Sequence, residues 1–272
     1  TKANKSKKSF SINKSTGKIT IKKTDMTGEE ELDGAVLELY EVVTKEDGTT
    51  ETVLLDTHVS DTEHPWVIEE LPAGSYELKE TTAPEGFTLL EEVTQFTVNE
   101  QGEIETLNGE TPENSNLIII NDRPSTVLID KQALGDFDAP DDNAKFTLYY
   151  TEHAAVTNAD DEQIEAPTSF DGVRFTDADG TDITDTVTFG ETEDGVKYAQ
   201  FTGNVKIERL RDGNYELEEI AAPDGFTLVK TNILFTITDG LVTSTNKVVT
   251  DGQDQVTKTN NEDGSQTITV YD

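Results

Sequence analysis

The sequence Tyr76–Leu89, YELKETTAPEGFTL, occurs a second time at Tyr215–Leu228 as YELEEIAAPDGFTL. Ten of the fourteen positions are identical, which indicates that one structural unit is present twice. Each copy begins with alternating apolar and polar residues, a pattern typical of a strand with one buried face. A Pro and a Gly then mark a turn. The repeat therefore predicts two β units of the same design.

Short segments with the same alternation continue on both sides of each copy, with turn residues between them. The candidate strands that correspond in the two units are 17–25, 34–40 and 117–121 in the first, and 127–131, 143–149 and 267–272 in the second. No stretch has a helical period of useful length. Many short strands with turn signals between them predict an all-β fold made of two tandem β-sandwiches.

The repeat also predicts the domain boundaries. A lysine-rich leader at 1–16 precedes the first domain at 17–122 and is expected to be flexible or to add an extra strand. A linker at 123–125 is followed by the second domain at 126–272. The spacing between the corresponding Lys and Glu residues is 57 in the first domain and 88 in the second. We therefore expect an insertion of roughly thirty residues around 151–201.

The composition excludes several classes of function. The 272 residues carry a net charge of −35, which argues against binding to nucleic acid or to anionic membrane surfaces. No cysteine is present, so disulfides, thiol nucleophiles and thiolate metal sites are excluded. No apolar run is long enough to span a bilayer, so no membrane insertion is expected in this segment.

Polar residues stand at the ends of apolar strand faces in both units. Lys23 continues the face of Ile19 and Ile21, and Glu80 continues the face of Tyr76 and Leu78. The full set is Lys23, Glu80 and Asn121 in the first unit and Lys131, Glu219 and Asp272 in the second. A buried carboxyl must be paired, protonated or functional. The simplest interpretation is a buried salt bridge with a hydrogen-bonding neighbour.

The alternative is a covalent bond between the side chains. A dry core favours the neutral forms of an amine and of a carboxyl, so the lysine can act as a nucleophile while the glutamate holds a proton. Attack on the carboxamide carbon of Asn121 would expel ammonia, and attack on Asp272 would expel water. Fixed proximity can supply about 7–11 kcal/mol of the barrier. The resulting isopeptide bonds would tie the first strand of each unit to its last, as a disulfide would.

Three motifs in the first unit carry a family resemblance. Lys23-Thr24-Asp25, Gly34-Ala35 and the segment Glu80–Phe87 resemble the CnaB (collagen-adhesin B-region, SpaA-type pilin) family. The resemblance implies prealbumin-like β-sandwiches from surface proteins of Gram-positive bacteria, whose members commonly form a Lys–Asn or Lys–Asp isopeptide bond promoted by a Glu. Glu80 and Glu219 would have that role here.

The second unit departs from the family pattern. Gln132 and Ala133 follow Lys131, and Asn143 stands where Gly34 falls in the first unit. Asp272 takes the place of the usual Asn, which resembles the Lys–Asp subset used in split-protein ligation tags. A partner beyond Asp272 therefore remains an alternative.

The resemblance implies an extracellular structural segment, a stalk or ancillary part of a cell-surface adhesin or pilus, attached to neighbouring domains of the same protein. Bond formation would occur once per domain, so we expect no enzyme activity and no cofactor. One alternative is a ligand-binding adhesin region that uses the insertion to bind a host extracellular protein. Another is a minor or basal pilin subunit.

The acidic cluster Asp177–Asp182 resembles a calcium loop, since carboxylates suit hard cations, but the full EF-hand spacing is absent. We interpret it as a solvated turn and predict no metal site.

Overall fold

The computed structural model describes residues 17–133, 143–157, 163–164 and 167–272. The leader or extra strand predicted at 1–16 lies outside these residues. The regular secondary structure of these residues consists of β-strands and one short 3₁₀ helix, Thr184–Thr186. The prediction of an all-β fold is therefore confirmed.

Unit one is a sandwich of two sheets. Its strands are β1 (Lys18–Asp25), β2 (Val36–Thr44), β3 (Thr50–Val59), β4 (Trp66–Glu69), β5 (Gly74–Thr82), β6 (Thr94–Val98), β7 (Ile104–Leu107) and β8 (Leu117–Asp122). One sheet has the order β4-β1-β8 and the other β3-β2-β5-β6-β7. The repeated sequence therefore forms the middle strand of the larger sheet.

Unit two repeats this plan with additional strands. They are β9 (Thr126–Gln132), β10 (Lys145–His153), β11 (Val156–Thr157), β12 (Gln163–Ile164), β13 (Arg174–Thr176), β14 (Thr188–Glu191), β15 (Lys197–Thr202), β16 (Val205–Glu208), β17 (Gly213–Ala221), β18 (Ile233–Thr238), β19 (Leu241–Thr245), β20 (Val249–Thr250), β21 (Gln253–Asp254), β22 (Val256–Asn260) and β23 (Gln266–Tyr271). The two main sheets have the orders β13-β16-β9-β23-β22 and β14-β15-β10-β17-β18-β19.

Each unit has its own apolar core, because side chains alternate between the two faces of a strand. The core of unit one includes Ile19, Ile21, Tyr76, Leu78 and Ile118, all at most 2% exposed. The core of unit two is built from the corresponding strands and includes Val127, Ile129, Tyr215, Leu217 and Ile268. The aligned strand faces explain how a chain with 33% apolar residues forms two cores.

The first and last strands of each unit are direct neighbours. β1 pairs with β8 in parallel, and β9 pairs with β23 in parallel. This arrangement places the ends of both strands at the same end of the sandwich. Residues that are far apart in the sequence meet there.

Candidate functional site

Lys23 lies at the end of the buried face of β1. Its side chain is 1% exposed, and it follows Ile19 and Ile21 on the core face of the strand. The alternation that buries the two isoleucines also directs the lysine inward. Its amine is therefore held at one end of the apolar core.

Glu80 reaches the same point from the opposite sheet. Its Oε1 lies 2.8 Å from Lys23 Nζ, and its side chain is fully buried. The other oxygen, Oε2, accepts a hydrogen bond of 2.8 Å from the backbone N–H of Leu90. The chain that follows the turn after β5 thus fixes the orientation of the carboxyl group.

The last member of the cluster in unit one is Asp122, and the prediction of Asn121 was wrong. Lys23 Nζ contacts Asp122 Oδ1, and the Asp122 side chain is fully buried. Asn121 is exposed on the other face of β8, where its side-chain oxygen accepts a hydrogen bond from Thr24 Oγ1. The core face of β8 consists of Ile118, Ile120 and Asp122, one position out of phase with the prediction.

The prediction of Asn121 failed because Leu117–Ile120 is a continuous apolar run. Without alternation of apolar and polar residues, the sequence does not show which side chains of the strand are buried. A shift by one residue then exchanges every inward and outward side chain. The internal repeat did contain the missing signal. When Leu117–Asp122 is aligned with Thr267–Asp272, Asp122 corresponds to Asp272 and Asn121 to Tyr271.

Unit two contains the same cluster. Lys131 Nζ lies 3.0 Å from Glu219 Oε1 and contacts Asp272 Oδ1, and all three side chains are at most 3% exposed. Glu219 Oε2 accepts a hydrogen bond of 2.8 Å from the backbone N–H of Val229, as Glu80 does from Leu90. The structure therefore brings together all three residues that the sequence predicted for this unit.

Burial shifts the protonation of these carboxyl groups. Burial, with the nearby charge of Glu80, raises the pKa of Asp122 to about 7, although Lys23 acts in the opposite direction. Burial likewise raises the pKa of Glu219, against the opposing effects of the Val229 N–H and Lys131. The Asp122 carboxyl can therefore hold a proton near neutral pH, which favours attack on its carbon by an amine.

One carboxyl oxygen remains unpartnered in each aspartate. Asp122 Oδ2 and Asp272 Oδ2 are buried and have no hydrogen-bond partner among the residues that the structure describes. An unsatisfied buried oxygen costs about 1–3 kcal/mol, and more when it is charged. Condensation of the amine with the carboxyl would expel one aspartate oxygen as water and leave a neutral amide. The geometry is suited to that reaction.

The acidic cluster Asp177–Asp182 forms a turn. Asp177 Oδ1 accepts hydrogen bonds from the backbone N–H groups of Asp179 and Thr181, which closes a tight loop. No group of three or more acidic, His or Cys side chains suited to a metal ion occurs among the described residues. None of the helices in that part of the chain is long and apolar enough to cross a membrane.

Comparison with solved structures yields similar chains of low identity. The TIE protein of Bacillus anthracis is 23% identical, with a TM-score of 0.37 over 82% of this chain, which spans 32% of that protein. The C-terminal fragment of the pilus adhesin SpaC from Lactobacillus rhamnosus GG is 14% identical, with a TM-score of 0.40 over 94% of this chain and 96% of the fragment. A streptococcal ancillary pilin is 17% identical, with a TM-score of 0.31 over 83% of this chain and 60% of the pilin.

No curated protein sequence matched the chain. The sequence model of the SpaA family, described as a prealbumin-like fold domain, matches residues 17–111 and again residues 137–251. The two matches fall one in each unit and together cover most of the chain. They confirm the predicted prealbumin-like fold, and the chain belongs to the SpaA prealbumin-like fold domain family.

Proposed function

We propose that the chain is a load-bearing structural segment of a Gram-positive cell-surface adhesin or pilus, in which each domain is cross-linked by one isopeptide bond. The bonds join Lys23 to Asp122 and Lys131 to Asp272. The observation that carries the proposal is the buried Lys–Glu–Asp cluster, present in both units with the same backbone contact to the glutamate. Family membership agrees with an extracellular location and with neighbouring pilus or adhesin domains as partners.

The reaction balances within the three side chains. The neutral lysine amine attacks the aspartate carboxyl carbon, and the protonated glutamate donates a hydrogen bond to the carboxyl oxygen that becomes negative. The glutamate then relays a proton from the nitrogen to the departing oxygen. A C–N bond forms, a C–O bond breaks, and one water leaves. Each domain reacts once, so the chemistry is maturation and involves no turnover of a substrate.

The cross-link would stabilise the fold because it constrains the unfolded chain. The joined residues are 99 positions apart in unit one and 141 apart in unit two. Closing loops of this length is worth about 5 kcal/mol each on the chain-entropy account developed for disulfides. Neither unit contains a cysteine that could supply the same constraint.

The position of the bond also suits resistance to a pulling force. Tension that enters through β1 and leaves through β8 would pass directly across the Lys23–Asp122 bond, because the two strands are parallel neighbours. The chain between those residues would then carry no load. The same holds for β9 and β23 in unit two.

Intact mass under denaturing conditions, followed by peptide mapping, tests the proposal. We expect a mass lower than that of the sequence by two water molecules, with Lys23 joined to Asp122 and Lys131 to Asp272. A mass equal to that of the sequence would reduce both clusters to buried salt bridges. Loss of one ammonia and one water would restore Asn121 as the partner in unit one.

A second candidate function is ligand binding by the insertion in unit two. An open cleft of about 610 Å³ lies between Ser169–Val173 and the ends of β14 and β15. Phe189, which is 44% exposed, contributes an aromatic surface to it, and Glu191 and Lys197 lie at its edge. Clefts of this size with an apolar surface and a few polar groups are typical of ligand sites.

Binding to a panel of purified host extracellular-matrix proteins tests this alternative. We expect Phe189→Ser to remove any binding that the unmodified chain shows, while Leu234→Ser, an exposed apolar position outside the cleft, preserves it. Equal binding by both variants would exclude the cleft.

A further inference from the structure

The two units meet through the turn that follows the repeated strand. In unit one this segment is Glu85–Leu89, here called the first turn. Its Phe87 is 5% exposed and forms a β-bridge with Pro124. The N–H of Thr88 donates to the Arg123 carbonyl oxygen at 2.8 Å, and Gly86 O accepts from Ser125 N–H at 2.9 Å. The first turn thus bonds to the backbone that connects the two units.

Charged side chains of unit two complete the contact. Glu85 lies 2.7 Å from His153 Nε2 and 3.2 Å from Arg211 Nε. The Arg209 guanidinium lies over the Phe87 ring, 5.2 Å from its centroid, and bonds Glu30 through both terminal nitrogens. Unit two therefore presents a basic face to an acidic and aromatic turn.

The fit between the two surfaces is close. A Cβ atom on Gly240 would lie 2.3 Å from the Phe87 carbonyl oxygen, so only glycine can occupy that position without displacing the turn. The N–H of Leu89 donates to Asp239 O at 3.3 Å beside it.

Unit two carries a second turn of the same conformation, Asp224–Leu228. Gly225 has a φ of 88°, against 82° for Gly86. The N–H of Phe226 donates to Pro223 O at 3.0 Å, as the N–H of Phe87 does to Pro84 O at 3.1 Å. The residues Gly-Phe-Thr-Leu are identical in the two turns.

The second turn is exposed where the first is covered. Gly225 and Thr227 are exposed, Leu228 is 36% exposed and Phe226 is half-buried, whereas Gly86 and Phe87 of the first turn are buried. Nearby Ile220, at the end of β17, is 43% exposed. Unit two therefore carries the same turn surface that unit one buries against unit two. No other part of the described chain packs over it.

We infer that the second turn is a docking surface for a further prealbumin-like domain, one that follows β23 along the same polypeptide and presents a basic face. The first turn bonds to the backbone directly after β8, so the equivalent partner of the second turn is the backbone directly after β23. Asp224 would take the place of Glu85 and would require Arg or His opposite it. This inference is independent of the cross-links.

A second copy of this chain does not fit the surface. The residues Glu70, Pro72 and Ala73 of unit one stand where unit two has Arg209, Arg211 and Asp212. The correspondence is supported by the backbone, since Glu70 and Arg209 both have a positive φ, at 57° and 67°. On unit one of another copy Asp224 would therefore meet Pro72 in place of the arginine that pairs with Glu85. Glu70 would stand where Arg209 covers the Phe87 ring, and both differences disfavour end-to-end self-association.

The test appends a second copy of residues 123–272 directly after Asp272, so that the second turn is offered the basic face of unit two. The appended copy carries Thr227→Ser, which distinguishes its peptides by mass. Hydrogen exchange followed by mass spectrometry then compares the amides of Thr227 and Leu228 in the chain with and without the extension. The amides of Thr88 and Leu89, docked in both chains, are the internal standard.

We expect exchange at Thr227 and Leu228 to slow about tenfold or more on extension, approaching that of Thr88 and Leu89. The matched control carries Arg209→Glu and Arg211→Glu in the appended copy, and exchange should there remain as fast as in the unextended chain. Fast exchange in the extended chain with the intact basic face would overturn the inference. Equal protection with both appended copies would refute the role of the basic residues.

Discussion

Asp122, on the last strand of unit one, lies against Lys23 on the first strand, although 99 residues separate them in the sequence. The contact exists because β1 and β8 are parallel neighbours that end at the same place. Lys131 and Asp272 have the same relationship in unit two.

The leaving group distinguishes the two candidate partners of Lys23, because Asp122 would release water and Asn121 would release ammonia. Asp122→Ala should abolish the water loss of unit one, whereas Asn121→Ala should preserve it, because the Asn121 side chain is exposed away from the lysine. Asp122→Asn should react with loss of ammonia in place of water. Intact mass under denaturing conditions distinguishes these products. Preserved water loss in Asp122→Ala would show that another carboxyl reacts.

Removal of the glutamate should stop the reaction and preserve the fold. Glu80→Gln is similar in size but cannot relay a proton, so unit one should retain its water while unit two still loses one. Glu219→Gln is the matched variant and should show the reverse. Complete cross-linking in both variants would assign no chemical role to the glutamates.

Loss of the cross-link should lower the stability of the affected unit alone. Lys23→Met cannot form the bond, and we expect unit one to lose about 5 kcal/mol, the value expected for a loop of this length. For a domain of this size that corresponds to a decrease of about 20 °C or more in Tm. Differential scanning calorimetry should show the transition of unit two nearly unchanged. An unaltered first transition would mean that unit one carries no bond.

Without the cross-link, unit one should become pH-sensitive. The pKa of Asp122 is raised to about 7 from 3.8, so the folded state binds its proton more tightly than the unfolded state does. In Lys23→Met the opposing effect of the lysine is absent. The protonated carboxyl therefore contributes stability that is fully present below about pH 4 and is lost as the pH rises through the raised pKa of the folded state, which lies higher still without the lysine. Denaturant unfolding of Lys23→Met at a series of pH values measures this slope.

The unmodified chain is the control for that slope. Its Asp122 carboxyl would be an amide and would no longer titrate, so the stability of unit one should change little over the same pH range. A slope of equal size in the unmodified chain would contradict the cross-link.

The contact between the first turn and unit two should depend on Gly240. Gly240→Ala places a Cβ within 2.3 Å of Phe87 O, so we expect faster amide exchange at Thr88 and Leu89. Gly252→Ala is the matched control, because its φ is also positive, at 83° against 72°, but a Cβ there meets nothing within 4 Å. Exchange at Thr88 and Leu89 that is as slow in Gly240→Ala as in Gly252→Ala would show that the contact with Phe87 does not hold the first turn.

The amino-acid sequence alone determined most of the fold. The repeat of Tyr76–Leu89 gave the number of units, and the alternation of apolar residues placed Lys23, Glu80, Lys131 and Glu219 on core faces. These predictions were accurate because an alternating strand specifies its own buried face, and a Pro-Gly turn specifies where the strand ends. Both signals are local in the sequence.

The tertiary structure alone decided the partner of Lys23 and the contact between the units. The four apolar residues Leu117–Ile120 fit either face of a sheet, so only pairing with β1 determines that Asp122, and not Asn121, points inward. The two Gly-Phe-Thr-Leu turns are identical in sequence, yet Gly86 and Phe87 are buried in the first, whereas in the second Gly225 is exposed and Phe226 is half-buried. That difference depends on which surface lies opposite, and a surface assembled from distant segments exists only after folding.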